Sequence, residues 1–139
     1  MEKLIQILDE AQKLAISIKP KTRGFPIFAE VLRRAGVHSY VWFLPSCQSI
    51  YNFETGHVVQ QMQPLMLGAF GIPKFSKENL KSAIQIDQNG DTSFHEFLLA
   101  IWNAGVISYE VDFLKRKVTY FSVKEDSYTE EYPQVELKN

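Results

Sequence analysis

Cysteine is nearly missing from this chain. Cys47 stands alone, so no intrachain disulfide can close and no cysteine-rich zinc site can assemble. A reducing cytoplasm is the expected setting. Long apolar runs are missing too. The stretch from Leu65 to Phe70 is far too short to span a bilayer, and Met1-Glu2-Lys3-Leu4-Ile5-Gln6 carries charges where a signal peptide needs its apolar core. No membrane partner is expected. Nor is there an excess of one charge. Fifteen Lys and Arg face 16 Asp and Glu, a net charge of -1, which gives no global pull toward nucleic acid or anionic lipid. Nucleic-acid binding is disfavoured on that ground. Only three histidines occur, and no two share a helix face or a ligand-like spacing. Neither a metal nor another cofactor is expected.

What the chain does have is apolar material and a repeat. Its 139 residues, 45% hydrophobic and 13% aromatic, suit one domain with one core. Setting Phe25 to Tyr51 above Phe94 to Tyr120, a constant offset of 69, matches Phe25/Phe94, Phe28/Phe97, Ala35/Ala104, Gly36/Gly105, Val37/Val106, Ser39/Ser108, Tyr40/Tyr109 and Tyr51/Tyr120. That is eight identities in 27 ungapped positions. The matches fall where a helix must end and strands begin, which reads as an internal duplication. The halves are about 1–62 and 72–132 of a single domain, 1–139.

Ser93-Phe94-His95-Glu96 has the form of a capping box, and Phe94, Phe97, Leu98, Ile101 and Trp102 follow at three- and four-residue spacing. Gly105 stands where a left-handed C-terminal cap takes glycine. In the first half Pro26 suits a helix start, Phe25, Phe28, Ala29 and Leu32 form the stripe, and Gly36 closes it. An amphipathic helix precedes each, over 2–17 and 77–86, the latter capped by Ser76. After each glycine the period shifts toward two, giving strands over 37–44, 49–54, 106–112 and 117–122, with third strands at 58–61 and 128–132. The expected class is α+β: a duplicated helix-helix-strand-strand(-strand) unit with pseudo-two-fold symmetry and helices covering an antiparallel sheet. The segment 63–74 connects the halves and needs apolar cover for Leu65, Met66, Leu67 and Phe70.

Several stretches carry a resemblance: Lys21-Thr22-Arg23-Gly24-Phe25-Pro26, the run from Trp42 to Ser49, Ala104-Gly105-Val106 through Tyr109-Glu110-Val111-Asp112-Phe113, and Tyr132-Pro133-Gln134-Val135-Glu136. Together they resemble an uncharacterised bacterial and prophage family, domain of unknown function 1398 in the YdfO-like superfamily, which goes under the label phage envelope protein. The resemblance spans most of the chain. It implies an α+β domain and brings no established activity, cofactor or site residue with it.

The run from Asp87 to Phe97 is similar to a calcium loop until it is counted. Position six would be Thr92 instead of glycine, and position twelve Leu98 instead of glutamate. A polar turn before a capped helix remains. Cys47 falls where the second half has Arg116, in a hairpin connection, and a catalytic thiolate there would need His38, His57 or His95 as base. Lys19, Lys21 and Arg23 precede a helix start, where free N–H groups favour an anion. The corresponding loop of the other half, Asp87 to Asp91, is acidic, so the two loops either face each other or meet solvent.

Tyr40, Tyr51, Tyr109 and Tyr120 are the tyrosines that the repeat keeps on its strands. Two readings stand. They form cross-strand aromatic pairs in the core, or they line a cleft between the halves, with Trp42, Cys47, Asp112 and Arg116 around it, that takes a small molecule or peptide. Asp112 and Arg116 flank a turn, and a local ion pair is their simplest role. The functional expectation is a non-enzymatic binding or interaction module of accessory or prophage origin, using the sheet surface or the cleft. Its partner is a small molecule or a protein, a second copy of the chain included. The alternative is a small enzyme with its active site between the repeats.

Overall fold

A computed structural model describes residues 2–137. In chain order the elements are α1 (Glu2–Ile18), α2 (Phe25–Arg34), β1 (Val37–Phe43), β2 (Gln48–Phe53), β3 (Gly56–Gln61), α3 (Lys77–Gln88), α4 (Phe94–Asn103), β4 (Ser108–Asp112), β5 (Lys117–Phe121) and β6 (Ser127–Glu131). The six strands form one antiparallel sheet in the order β3-β2-β1-β4-β5-β6. Strands β1 to β3 form one three-stranded meander and β4 to β6 another. The two meanders meet where β1 pairs with β4, and the protein is α+β.

The central pairing has a simple arithmetic. Ser39 lies opposite Asp112, Val41 opposite Glu110 and Phe43 opposite Ser108. Val41 and Glu110 are themselves 69 apart, so the repeat offset maps this ladder onto itself about that one pair. Tyr40 opposite Tyr51 likewise corresponds to Tyr109 opposite Tyr120.

Local chemistry fixes the helix ends. Ser93 Oγ accepts from the Glu96 N–H at 3.1 Å while Glu96 Oε1 accepts from the Ser93 N–H at 2.9 Å, a complete capping box. Ser76 Oγ accepts from the Asn79 N–H at 3.1 Å. At the other end of α4 the Gly105 N–H donates to Trp102 O and the Val106 N–H to Ile101 O, with Gly105 at φ +92, a Schellman closure. The connector docks there. Ser76 N–H donates to Ala104 O at 2.9 Å, and Lys74 and Phe75 run so close over Gly105 that a Cβ would meet Phe75 Cα at 2.4 Å. α2 begins at Phe25, one residue before Pro26, from an N-cap glycine with no side-chain cap. A side chain on Gly24 would collide with Pro20 O.

All four helices lie on one face of the sheet. Inward strand residues Tyr40, Trp42, Tyr51, Val58, Tyr109, Val111, Val118 and Tyr120 pack with Leu8, Leu32, Leu80, Phe97, Ile101 and Phe113 in a single buried cluster. The opposite face carries Ser39, Val41, Phe43, Ile50, Asn52, Val59, Glu110, Thr119 and Phe121, half-buried or exposed. No helix among the described residues is long and apolar enough to cross a membrane.

Candidate functional site

Tyr40, Tyr51, Tyr109 and Tyr120 are each 6% exposed or less, because strand alternation turns all of them toward the helices. With Tyr128 they make a ladder over five neighbouring strands. Centroid separations run 4.9 Å from Tyr51 to Tyr40, 6.1 Å to Tyr109, 5.7 Å to Tyr120 and 6.5 Å to Tyr128, all within the range of favourable ring contact. Trp42 stacks on Tyr109 and meets Phe94 of α4 edge-on. The structure thus brings Tyr40, Trp42, Tyr51, Tyr109 and Tyr120 together as an enclosed aromatic layer, and a ligand reaches them only if the helix layer moves.

Burial sets the chemistry of this layer. Loss of water raises the phenols of Tyr40 and Tyr109 well above their ordinary value, the repulsion that phenolates on the neighbouring tyrosines would exert adding to it, and it raises Tyr51 and Tyr120 as well. Tyr128 and Tyr132 are pushed up to about 12, again first by lost solvation. An unfolded chain ionises near the ordinary value of 10.0 while the folded chain holds its protons, so folding retains protons that the unfolded state gives up. This stabilisation is complete below pH 10 and shrinks as pH climbs above it. In an alkaline titration followed by circular dichroism and tyrosinate absorbance, the absorbance of the ladder tyrosines should rise only as the fold is lost. All six phenols titrating near pH 10 in folded protein would contradict it.

Cys47 and Arg116 occupy equivalent places in the two hairpin connections, and both adopt the left-handed conformation, φ 59 and φ 55. Cys47 is buried. Burial pushes its thiol up, with Trp42 and the Leu65 backbone acting weakly the other way, the opposite of what a nucleophile needs. Trp42 and Ser49 face each other across β1 and β2. Trp42 Nε1, near the Cys47 sulfur, and Ser49 Oγ, near the Tyr51 hydroxyl, are sealed from solvent, yet neither completes a hydrogen bond of good geometry.

Asp112 and Arg116 form no ion pair, which corrects the simplest sequence reading. Asp112 Oδ1 accepts from the Leu114 and Lys115 N–H groups, 3.0 Å each, so its charge is spent on closing the turn. Arg116 O accepts from the Tyr132 N–H. The basic loop and its acidic counterpart do meet. Arg23 N–H donates to Gln88 O at 2.9 Å, and Gly90 packs against the Lys21 backbone. Lys19 stands over the Phe28 ring at 6.0 Å, and Lys19, Lys21 and Arg23 are all exposed. Half-buried Asp87 is raised by burial, against a hydrogen bond from Thr92 and the nearby Lys19.

Sequence reasoning missed a polar row on the uncovered face. His57, Asn52, Ser39, Asp112, Lys117 and Glu131 lie directly opposite one another across all six strands. Asn52 Nδ2 donates to Ser39 Oγ at 3.0 Å, and Asn52 Oδ1 lies 2.6 Å from His57 Nδ1. With the amide oriented so, Nδ1 bears the hydrogen and Asn52 separates His57 from Ser39, so the imidazole cannot take the serine proton. The row can bind polar groups and makes no nucleophile. Beside it runs an apolar row, Val59, Ile50 and Val41, which ends on Glu110. Counting by twos from Tyr40 and Tyr51 marks Ser39, Val41, Ile50 and Asn52 as outward, and only the strand register joins them into rows. Among the described residues no group of three His, Cys, Asp or Glu could hold a metal ion.

Residues 13–131 match the model of a family described as Protein of unknown function (DUF1398). The chain belongs to that family. Curated relatives agree in extent: an uncharacterized protein of Mycobacterium bovis is 45% identical over 129 residues, 93% of this chain and 79% of the relative. Uncharacterized proteins of two Mycobacterium tuberculosis strains give the same identity and coverage. The DUF1398 match takes in every strand of the sheet and with it both rows of the uncovered face.

Proposed function

We propose that this chain is a non-enzymatic interaction module that grips a protein partner with the uncovered face of its sheet. The observation that carries this is the cross-strand row Val59, Ile50, Val41, flanked by Phe43 and Phe121, which stand on either side of Ser108. Apolar side chains on a face that no helix covers mark a contact surface. Glu110 sits at the sheet centre beside them, so the matching surface is apolar with a lysine or arginine facing that carboxylate. The fit of the repeat offset to the central ladder supports duplication of one helix-helix-strand-strand-strand unit within a single domain, halves about 1–62 and 72–132. The lone, buried thiol suits the cytoplasm, and the resemblance to prophage proteins suits an accessory origin.

The test is in-cell crosslinking with mass spectrometry, comparing wild type with Phe43→Lys and Glu110→Lys, and with Ser17→Lys on the exposed side of α1. Partners crosslinked to the sheet face should disappear with the first two and stay with the third. Crosslinks unchanged by Phe43→Lys and Glu110→Lys would sink the reading.

A further inference from the structure

The two edges of the sheet are not alike. β6 and the turn before it carry Glu125, Asp126, Glu130 and Glu131, and Pro133 follows closely, the usual guards against stray strand pairing. β3 has no charged residue unless His57 is protonated, no proline and no bulge in its pairing with β2. Met62 N–H donates inward to Cys47 O, and antiparallel alternation then sends the backbone groups of His57, Val59 and Gln61 outward.

We infer that β3 pairs antiparallel with β3 of a second copy, the two-fold axis passing through Val59, to give a continuous twelve-stranded sheet. Centred there, His57 lies opposite the second copy's Gln61 and Val58 opposite its Gln60, with no like charges opposed. The same axis serves α1. Gln12 and Gln60 exchange two amide hydrogen bonds, 2.9 and 3.2 Å, which sets the middle of α1 beside the middle of β3. Ile5 and Ile16, seven residues before Gln12 and four after it, share its strip of the helix and are 57% and 71% exposed. In an antiparallel meeting of two α1 helices, Ile5 of each copy faces Ile16 of the other. Asp9 then faces Lys13, two groups that pair within one copy at 3.0 Å. Apolar and charged positions are thus self-complementary about one axis. Pairing β3 with β6 instead would leave open ends and grow a fibre, whereas the β3 pairing closes at two.

Native mass spectrometry and size-exclusion chromatography with light scattering on the full chain test this. Wild type should show twice the 16.0 kDa chain mass. Val59→Lys, which sets two ammonium groups against each other at the axis, and Ile16→Glu should each return it to the single mass with an unchanged circular dichroism spectrum. Leu67→Lys, at an 85% exposed site in the connector, should leave it doubled. Hydrogen exchange at His57, Val59 and Gln61 should be slow in wild type and fast in Val59→Lys. A wild-type monomer at high micromolar concentration overturns the inference. So does a dimer that survives both Val59→Lys and Ile16→Glu, since its interface then lies elsewhere.

Discussion

Gly105→Ala should lower the unfolding free energy by about 2–5 kcal/mol, the sum of a left-handed backbone penalty and an overpacking penalty, and Gly36→Ala by only about 1–2 kcal/mol. Both glycines close a helix at positive φ, +92 and +102, so the backbone term is common to them. Surroundings separate them. A Cβ on Gly105 meets Phe75 Cα at 2.4 Å, Phe75 N at 2.6 Å and the Lys74 carbonyl carbon at 2.8 Å, all backbone atoms that cannot swing aside. A Cβ on Gly36 meets only a Phe53 ring carbon at 3.7 Å, ordinary contact. Urea midpoints of the two variants beside wild type measure the difference, and equal losses would show that the connector yields freely at Gly105.

Tyr109→Ala is the second large effect, about 3–5 kcal/mol as for other large buried aromatics. Its ring touches Tyr40, Trp42 and Tyr120 and sits where the two meanders join, so its loss opens a cavity that residues from both halves must collapse to fill. Tyr109→Phe keeps every ring contact and removes only the hydroxyl that lies against Tyr40, a loss of about 1 kcal/mol. Tyr128→Ala, at the outer end of the ladder and partly exposed, should cost well under half as much as Tyr109→Ala. Denaturant unfolding of the three variants separates packing from hydroxyl bonding. A Tyr109→Phe loss close to that of Tyr109→Ala would mean that the hydroxyls, and not the rings, hold the layer.

The architecture was largely legible because its signals are local. The Ser93 to Glu96 capping box, the Phe94 to Trp102 stripe and the glycines at 36 and 105 each act within a turn of chain, and the offset of 69 multiplied their weight. The third strands are legible to within two residues at their ends, the reading 58–61 leaving out Gly56 and His57 of β3. Contacts that depend on register were not legible. Nothing near Asp112 in sequence says that its carboxylate bonds the turn N–H groups and not Arg116. The row from His57 through Asn52 to Ser39 exists only once three strands are aligned, and one of those alignments slips at the irregularity between Val37 and Ser39. The sequence marks Gly105 as a helix cap, but the chain that crosses it comes from the connector 30 residues upstream, beyond the reach of any periodicity.

The seam between Val41 and Glu110 also orders events in time. At about 5–20 residues per second of synthesis, roughly 3–14 s separate the emergence of Val41 from that of its partner. From the emergence of Gln61 onward, the first meander shows the nascent-chain machinery a bare β1 flank, on one of the two strands that end up at the centre of the sheet. That flank stays open to stray strand pairing until β4 emerges to cover it.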